Sequence, residues 1–241
     1  MKLLIIRHAD PDYSIDSLTE KGFKEAELLA QRMVRENADY YYCSTLGRAK
    51  DTIAPTLKML SKKAQYFDWL QEFYSPIEYP VGVSKTHCWD LLPSDYVKDD
   101  NFFELDNWYN ATLYKDTKIK DSYKWVCDEF DKLLATHGYQ RNGKLYNAVK
   151  PNDVTLALFC HFGLECVLLS HLLNVPTPAL WQGTMAAPTS VTTIYTEERQ
   201  DGIASFRVQS FGDVSHLYIA NEPPAFAGRF SEKYENFEQR H

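Results

Sequence analysis

The chain has 241 residues, and 44% of them are hydrophobic, so it can fold around a substantial core. A formal net charge of -7 argues against a general nucleic-acid or membrane-surface binder, because such proteins usually carry basic fields. The five cysteines include no CxxC pair, which favours buried free thiols in a reducing compartment. No apolar run approaches the ~18 residues of a spanning helix, and the first is too short for a signal sequence. We therefore expect a cytoplasmic protein without nucleic-acid or membrane partners.

The first third of the chain alternates predicted strands and helices. The continuous apolar run at residues 3–6 predicts a central strand that is covered on both faces. Residues 40–43 predict a second strand, and Pro55 should kink or delay the helix that follows it. Between the strands, Thr19 is suited to cap a helix that runs to about residue 36. Its apolar positions fall at helical spacing, namely Phe23, Ala26, Ala30, Met33 and Val34.

Residues from about 73 to 150 break this alternation. The stretch is rich in prolines and aromatic residues, and it contains one clear amphipathic helix at about residues 121–137. We interpret it as an insertion that caps the active edge of the sheet rather than as an independent domain. The whole chain, residues 1–241, would then be a single domain with a substrate cap.

The alternation resumes after the insertion. Residues 154–160 give the strongest strand signal in the chain, and a helix is predicted immediately afterwards, at 163–173. Two further strands are predicted at 191–196 and 203–209, and the tail from about Asn221 is expected to be an ordered coil. The pattern indicates a three-layer α/β/α fold with a mostly parallel central sheet and helices on both faces.

Two of the predicted strands end in a histidine, His8 and His161. Ligands of open α/β sheets bind beyond the carboxyl ends of the strands, so both side chains should lie at the same sheet edge. Arg7 precedes His8, and Arg48 opens the helix after the second strand at that edge. Each residue alone is more often structural, but together they predict a cationic pocket. Arginine suits phosphate because its planar guanidinium binds two oxygens at once.

The order of these motifs resembles the histidine phosphatase superfamily, the phosphoglycerate mutase-like proteins. The family opening of Arg-His-Gly and Leu-Thr-x-x-Gly stands here as Arg7-His8-Ala9 and residues 18–22. The second motif resembles residues 44–52, and the third resembles residues 160–163. Ala9 replaces the usual glycine, and Phe162 replaces a smaller residue. Neither change removes a catalytic group.

The resemblance implies a role for each matching position. His8 resembles the nucleophile that accepts the phosphoryl group, and its other ring nitrogen should be held by a hydrogen-bond acceptor. Arg7, Arg48 and His161 resemble the clamp on the non-bridging phosphate oxygens. The backbone N–H of Phe162, at a helix N-terminus, would add one more donor.

The resemblance also places the general acid after the third strand. Glu72 occupies that position, where it would protonate the leaving alkoxide and later activate water. Glu78, Asp90 or another carboxylate of the insertion stays open as an alternative. We expect no cofactor and no metal, since neighbours such as His87 and Cys88 lack a second pair at ligand spacing.

The leading functional prediction is therefore hydrolysis of a phosphomonoester through a phosphohistidine on His8. A phosphoglycerate-type mutase is the alternative enzymatic activity, but residues 10–18 lack the Trp-Asn and Gly-Trp segments of family mutases. A non-catalytic phosphate-binding module is the third possibility. The partner should be a small phosphate ester. Its identity stays open, as does the presence of a homodimer.

Overall fold

The computed structural model describes residues 1–79 and 85–225. Part of the predicted insertion, including Pro80, and most of the predicted C-terminal coil lie outside these residues.

The described strands alternate with helices along much of the chain. The strands are β1 (Lys2–Arg7), β2 (Pro11–Asp12), β3 (Ser17–Leu18), β4 (Tyr40–Ser44), β5 (Gln65–Phe67), β6 (Ile77–Glu78), β7 (Lys85–Thr86), β8 (Tyr139–Asn142), β9 (Leu145–Ala148), β10 (Thr155–Cys160), β11 (Val191–Gln200) and β12 (Ile203–Asp213). The helices are α1 (Glu20–Glu36), α2 (Gly47–Leu60), α3 (Pro93–Tyr96), α4 (Ile119–Thr136), α5 (Phe162–Leu173), α6 (Thr177–Gly183) and α7 (Ser215–Ile219). Short 3-10 helices lie at Asp68–Leu70, Asp100–Phe103, Trp108–Asn110 and Thr112–Tyr114.

Within the described residues, eight strands form one central sheet in the order β5-β4-β10-β1-β11-β12-β9-β8. The four strands from β5 to β1 are parallel, whereas β11, β12, β9 and β8 join them by antiparallel pairings. The sheet is thus mixed, and the prediction of a mostly parallel sheet holds for one half only. The reason is local: short connections join β8 to β9 and β11 to β12, and short connections permit antiparallel pairing alone.

The alternation of side chains along the inner strands produces two packed faces. Leu3 and Ile5 of β1 contribute to the core on the side of α4 and α5. Leu4 and Ile6 contribute to the core on the side of α1 and α2. All four side chains are fully buried, as a strand covered on both faces requires. The predicted three-layer α/β fold is confirmed.

Helix α1 begins as its sequence predicts, because the Thr19 hydroxyl accepts from the Gly22 N–H at 3.0 Å. Gly22 also approaches the first loop closely: a Cβ there would lie 2.2 Å from the Asp10 carbonyl oxygen. The buried face is shifted from the predicted one. Phe23 and Val34 lie to one side of it and are exposed, whereas residues such as Leu29 and Met33 form its centre.

Helix α2 begins at Gly47 and contains Pro55 within its length, so it does not begin late.

The stretch predicted as an insertion is divided in the structure. Its last residues form β8 and β9, which extend the central sheet, and α4 packs its buried Val126 and Phe130 beside them. The part before α4 consists mainly of short helices and turns. No helix in the described part of the chain is both long and apolar enough to cross a membrane.

Candidate active site

The register of the two central strands brings the histidines together. Arg7 pairs with Cys160 as the last residues of the parallel strands β1 and β10, so His8 and His161 follow at the same edge. Their ring centroids lie 5.1 Å apart. The predicted shared position at the carboxyl edge of the sheet is therefore confirmed by the geometry.

His8 is almost fully buried and oriented by the backbone. Its Nδ1 lies 2.7 Å from the Ala9 carbonyl oxygen, so Nδ1 carries the proton and donates it. Burial, together with the guanidinium groups of Arg7 and Arg48, holds the pKa of His8 well below its usual value. The imidazole is therefore neutral, and its Nε2 lone pair has no hydrogen-bond partner among the described residues. These are the properties of a nitrogen nucleophile.

His161 is held at the opposite ring nitrogen. Its Nε2 lies 2.9 Å from the hydroxyl oxygen of Ser44, the last residue of β4. Burial, followed by the proximity of the His8 ring and of the Arg48 guanidinium, lowers its pKa well below the usual value. When the Ser44 hydroxyl donates to Nε2, Nδ1 carries the proton. That Nδ1 is buried and has no partner within residues 1–79 and 85–225.

Arg7 and Arg48 are each fixed at one terminal nitrogen. Arg7 Nη1 donates to the Ala186 carbonyl oxygen at 2.5 Å, and Arg48 Nη1 lies 2.6 Å from Asp16 Oδ1. The Nε–H of both arginines is buried without a partner in the described structure. Because buried polar groups are nearly always paired, unpaired donors from three residues in one cluster indicate a site for an oxygen-rich anion.

Thr52 connects the loop of His8 to the helix of Arg48. Its hydroxyl accepts from the Ala9 N–H at 2.9 Å and donates to the Arg48 carbonyl oxygen at 2.7 Å. The position of the His8 loop is therefore fixed relative to Arg48 by a buried side chain.

Glu72 reaches the same edge from the end of the Asp68–Leu70 3-10 turn. The Glu72 Oε1 accepts two backbone hydrogen bonds, from the Phe73 N–H at 2.8 Å and from the Leu164 N–H at 3.0 Å. The second bond places the carboxylate on the N-terminus of α5, directly after His161. The alternative carboxylates Glu78 and Asp90 are exposed.

Phe162 is the first residue of α5, so its backbone N–H belongs to the helix N-terminus as the sequence predicted. Its buried ring meets Trp89 edge-to-face, with centroids 6.1 Å apart. The donor role of this N–H stays a prediction.

Two acidic residues of the site were missed in the sequence. Asp16, which holds Arg48, lies in a loop with no motif of its own, and its contact spans 32 positions. Glu165 is fully buried within α5, where Thr192 donates to its Oε1 while Oε2 has no partner in the described structure. Burial raises the pKa of Glu165 to about 7. A signal for Glu165 did exist, because it is the one charged residue of an otherwise apolar helix, apart from His171.

A cavity of about 450 Å³ opens over Arg48 and Glu72. It is lined by Tyr13, Leu46, Arg48, Gln71, Glu72, Tyr74, His87 and Trp89. A hollow of about 550 Å³ lies at the other end of the parallel strands, beside Lys2 and Thr155, far from these groups. In the part of the chain that the structure describes, no three His, Cys, Asp or Glu side chains are grouped as metal ligands.

The chain is similar to known phosphatases. Residues 3–80 match the sequence model of the histidine phosphatase superfamily (branch 1). A probable phosphatase of Schizosaccharomyces pombe is 26% identical, covering 90% of this chain and 95% of that protein.

Solved structures share the fold. A mutant phosphoserine phosphatase from Entamoeba histolytica, in complex with phosphoserine, is similar with a TM-score of 0.61 at 18% identity over 90% of this chain and 98% of that one. A mycobacterial glucosyl-3-phosphoglycerate phosphatase, in complex with VO3, is similar with a TM-score of 0.56. The sequences are 16% identical, and the match covers 88% of this chain and 98% of that one.

Proposed function

The chain belongs to the histidine phosphatase superfamily, and we propose that it hydrolyses phosphate monoesters by transferring the phosphoryl group to His8 Nε2. The observation that carries this proposal is the state of His8: neutral, buried, anchored through Nδ1 to the Ala9 carbonyl, and surrounded by unpaired donors. The substrate is a phosphate ester, and we propose that it is a small molecule.

In the first step, His8 Nε2 attacks phosphorus, and the bond between phosphorus and the ester oxygen breaks. Glu72 gives its proton to the departing oxygen, which leaves as an alcohol. In the second step, Glu72 as a carboxylate removes a proton from water while the water oxygen attacks phosphorus. The P–Nε2 bond breaks, inorganic phosphate leaves, and His8 returns to its neutral state. This sequence needs no metal ion.

The clamp acts on the charge that the transferring group carries. The Arg7 and Arg48 guanidinium groups and His161 Nδ1–H would donate to the three non-bridging oxygens, with the Phe162 N–H as a further donor. These groups are positioned before substrate arrives, because Ala186, Asp16 and Ser44 hold their other nitrogens. A fixed array of donors costs little reorganisation in the transition state.

We propose that the described residues between Phe73 and α4 act as a substrate cap, because Tyr74, His87 and Trp89 line the cavity over Arg48. A cytoplasmic location and the absence of nucleic-acid and membrane partners stay predictions from composition and charge, and the presence of a homodimer stays open.

The test is turnover of a chromogenic aryl phosphate by the intact protein in the presence of EDTA. We expect turnover that EDTA does not reduce, and a fall of roughly 10³-fold or more for His8→Ala. His171→Ala serves as the control, because His171 pairs with Asp131 at the far end of α5 and should keep full activity. Turnover that survives in His8→Ala would remove His8 as the nucleophile. Primer-dependent conversion of 3-phosphoglycerate to its 2-isomer would establish a mutase instead.

A further inference from the structure

We propose that the organic group on the substrate's phosphate is an aromatic ring, and that Tyr13, Tyr74, His87 and Trp89 bind it. This inference rests on the proposed phosphatase function and names the substrate class of the same site. The cavity over Arg48 and Glu72 measures about 450 Å³, within the usual range for organic ligands and far more than a phosphate group needs.

One wall of the cavity is built from rings in contact with one another. His87 and Trp89 stack with centroids 4.7 Å apart and an interplanar angle of 16°. Tyr74 meets His87 edge-to-face at 5.4 Å. Trp89 in turn packs against Phe162, the first residue of α5, so the wall is fixed to the helix that follows His161. Tyr74 remains 62% exposed, so much of its ring is available to a ligand.

A fourth ring lies next to the phosphate clamp. The Arg48 guanidinium carbon is 5.4 Å from the centre of the Tyr13 ring, and Tyr13 is 59% exposed. Since Tyr13 and the Tyr74 wall line the same cavity, a planar group attached to a phosphate on Arg48 would contact rings from both.

The charges of the cavity disfavour an acidic leaving group. Among its described lining residues, Arg48 is the single arginine or lysine, and it is already paired with Asp16. The other ionisable lining residues include Glu72, which would repel a substrate carboxylate when ionised. A second anionic group on the substrate would therefore find no arginine or lysine among the described lining residues beyond the one that the phosphate uses. An uncharged ring meets no such cost and gains the stacking contacts.

The experiment compares benzyl phosphate with ethyl phosphate, because their alcohols are similarly poor leaving groups and differ chiefly in the ring. We expect kcat/KM for benzyl phosphate to exceed that for ethyl phosphate roughly 10-fold or more. Tyr74→Ala should remove most of this preference, because it should lower kcat/KM for benzyl phosphate more than kcat/KM for ethyl phosphate. The fold should be retained, since Tyr74 is 62% exposed. Tyr218→Ala, which removes a tyrosine that is 70% exposed on α7, is the matched control and should change neither value.

A binding arm separates this inference from the catalytic proposal. Benzylphosphonate and ethylphosphonate cannot be hydrolysed, so their calorimetric dissociation constants report ring recognition without turnover. Benzylphosphonate should bind the intact protein roughly 10-fold more tightly than ethylphosphonate, and Tyr74→Ala should weaken the binding of benzylphosphonate more than that of ethylphosphonate. Equal binding and equal kcat/KM for the two members of each pair would overturn the aromatic assignment while leaving a phosphatase. A preference for 3-phosphoglycerate over benzyl phosphate would overturn it as well. A ring preference in binding without turnover of any ester would instead contradict the proposed function.

Discussion

At the scale of the residue, the surroundings of His8 keep its imidazole uncharged. Burial and two guanidinium groups lower its pKa, while the Ala9 carbonyl fixes the tautomer that leaves Nε2 free to attack. In the proposed mechanism Arg7 and Arg48 therefore have two roles: they keep the nucleophile neutral, and they bind the phosphate that it attacks.

The role of Glu72 can be tested through the leaving group. Glu72→Gln keeps an oxygen for the Phe73 and Leu164 N–H groups, so we expect the fold to be retained. It cannot donate a proton as a carboxylic acid does, so kcat/KM for ethyl phosphate should fall roughly 10²- to 10⁴-fold. For 4-nitrophenyl phosphate, whose leaving group departs without a proton, kcat/KM should fall far less. Equal losses for the two esters would show that Glu72 is not the acid, and Glu78→Gln is the control.

The residues of the site could be predicted where sequence order alone determines their position. His8 and His161 directly follow neighbouring parallel strands, and Arg48 lies in the first turn of the helix after β4, so topology brings them together. Asp16 and Glu165 could not be found in this way, because their roles depend on contacts 32 and 27 positions away in the chain. The lone carboxyl group of the apolar helix α5 marks Glu165 as unusual, but no local pattern identifies Thr192 as its partner or pairs Asp16 with Arg48.

At the scale of the element, the N-terminus of α5 carries both a clamp residue and the contact to Glu72. Gly163 permits this arrangement, because a Cβ there would lie 2.7 Å from Glu72 Oε1 and 2.6 Å from Trp89 Nε1. The helix itself does not require glycine at this position, since alanine is the better helix former.

Gly163→Ala should therefore damage activity without damaging the helix. We expect kcat/KM to fall roughly 10²-fold, because the Glu72 carboxylate must move away from its place. The melting temperature should stay close to that of the intact protein, which differential scanning calorimetry measures. Gly183→Ala is the matched control, because no atom of residues 1–79 or 85–225 lies within 4 Å of a Cβ at that position of α6. Unchanged kinetics in Gly163→Ala would mean that Glu72 need not lie on α5.

Helices and strands were predicted well where a single hydrophobic pattern extends over most of the element. The β1, α1, β10 and α5 segments follow from apolar runs and a capping threonine. The antiparallel half of the sheet was not predicted, because the pairing of β9 with β12, which attaches the β8–β9 hairpin to the sheet, depends on long-range contacts. Short, partly polar strands such as β8, Tyr139–Asn142, carry little signal of their own.

At the scale of the whole molecule, two buried carboxyl groups make stability depend on pH. Burial raises the pKa values of Glu25 and Glu165 to about 7. As pH rises from the ordinary value of 4.5 towards 7, the unfolded chain loses these protons first, so the free energy of unfolding falls. Above about pH 7 the folded protein also loses the proton, and the free energy of unfolding falls no further. The total loss is on the order of 3 kcal/mol for a fully buried group such as Glu165.

Glu165→Gln should remove this dependence for one of the two groups. The glutamine oxygen can still accept from Thr192, and the amide occupies the place of the unpaired Oε2. Urea unfolding at pH 5 should show similar stability for the two proteins, whereas at pH 8 the variant should be more stable by up to about 3 kcal/mol. Glu27→Gln, at an exposed position of α1, should show no such divergence. A difference that is the same at both pH values would mean that Glu165 is not protonated in the folded state.

The central claim is that His8 carries the phosphoryl group during turnover, and intact-protein mass spectrometry after rapid quenching tests it most directly. The reaction is stopped at neutral or alkaline pH, because phosphohistidine is labile to acid. With a reactive aryl phosphate, the wild-type protein should gain the mass of one phosphoryl group, located at His8 by peptide mapping. Glu72→Gln should accumulate more of this species when its hydrolysis is slowed, and His8→Ala should form none. Active turnover without any such species, or phosphorylation that persists in His8→Ala, would contradict the account.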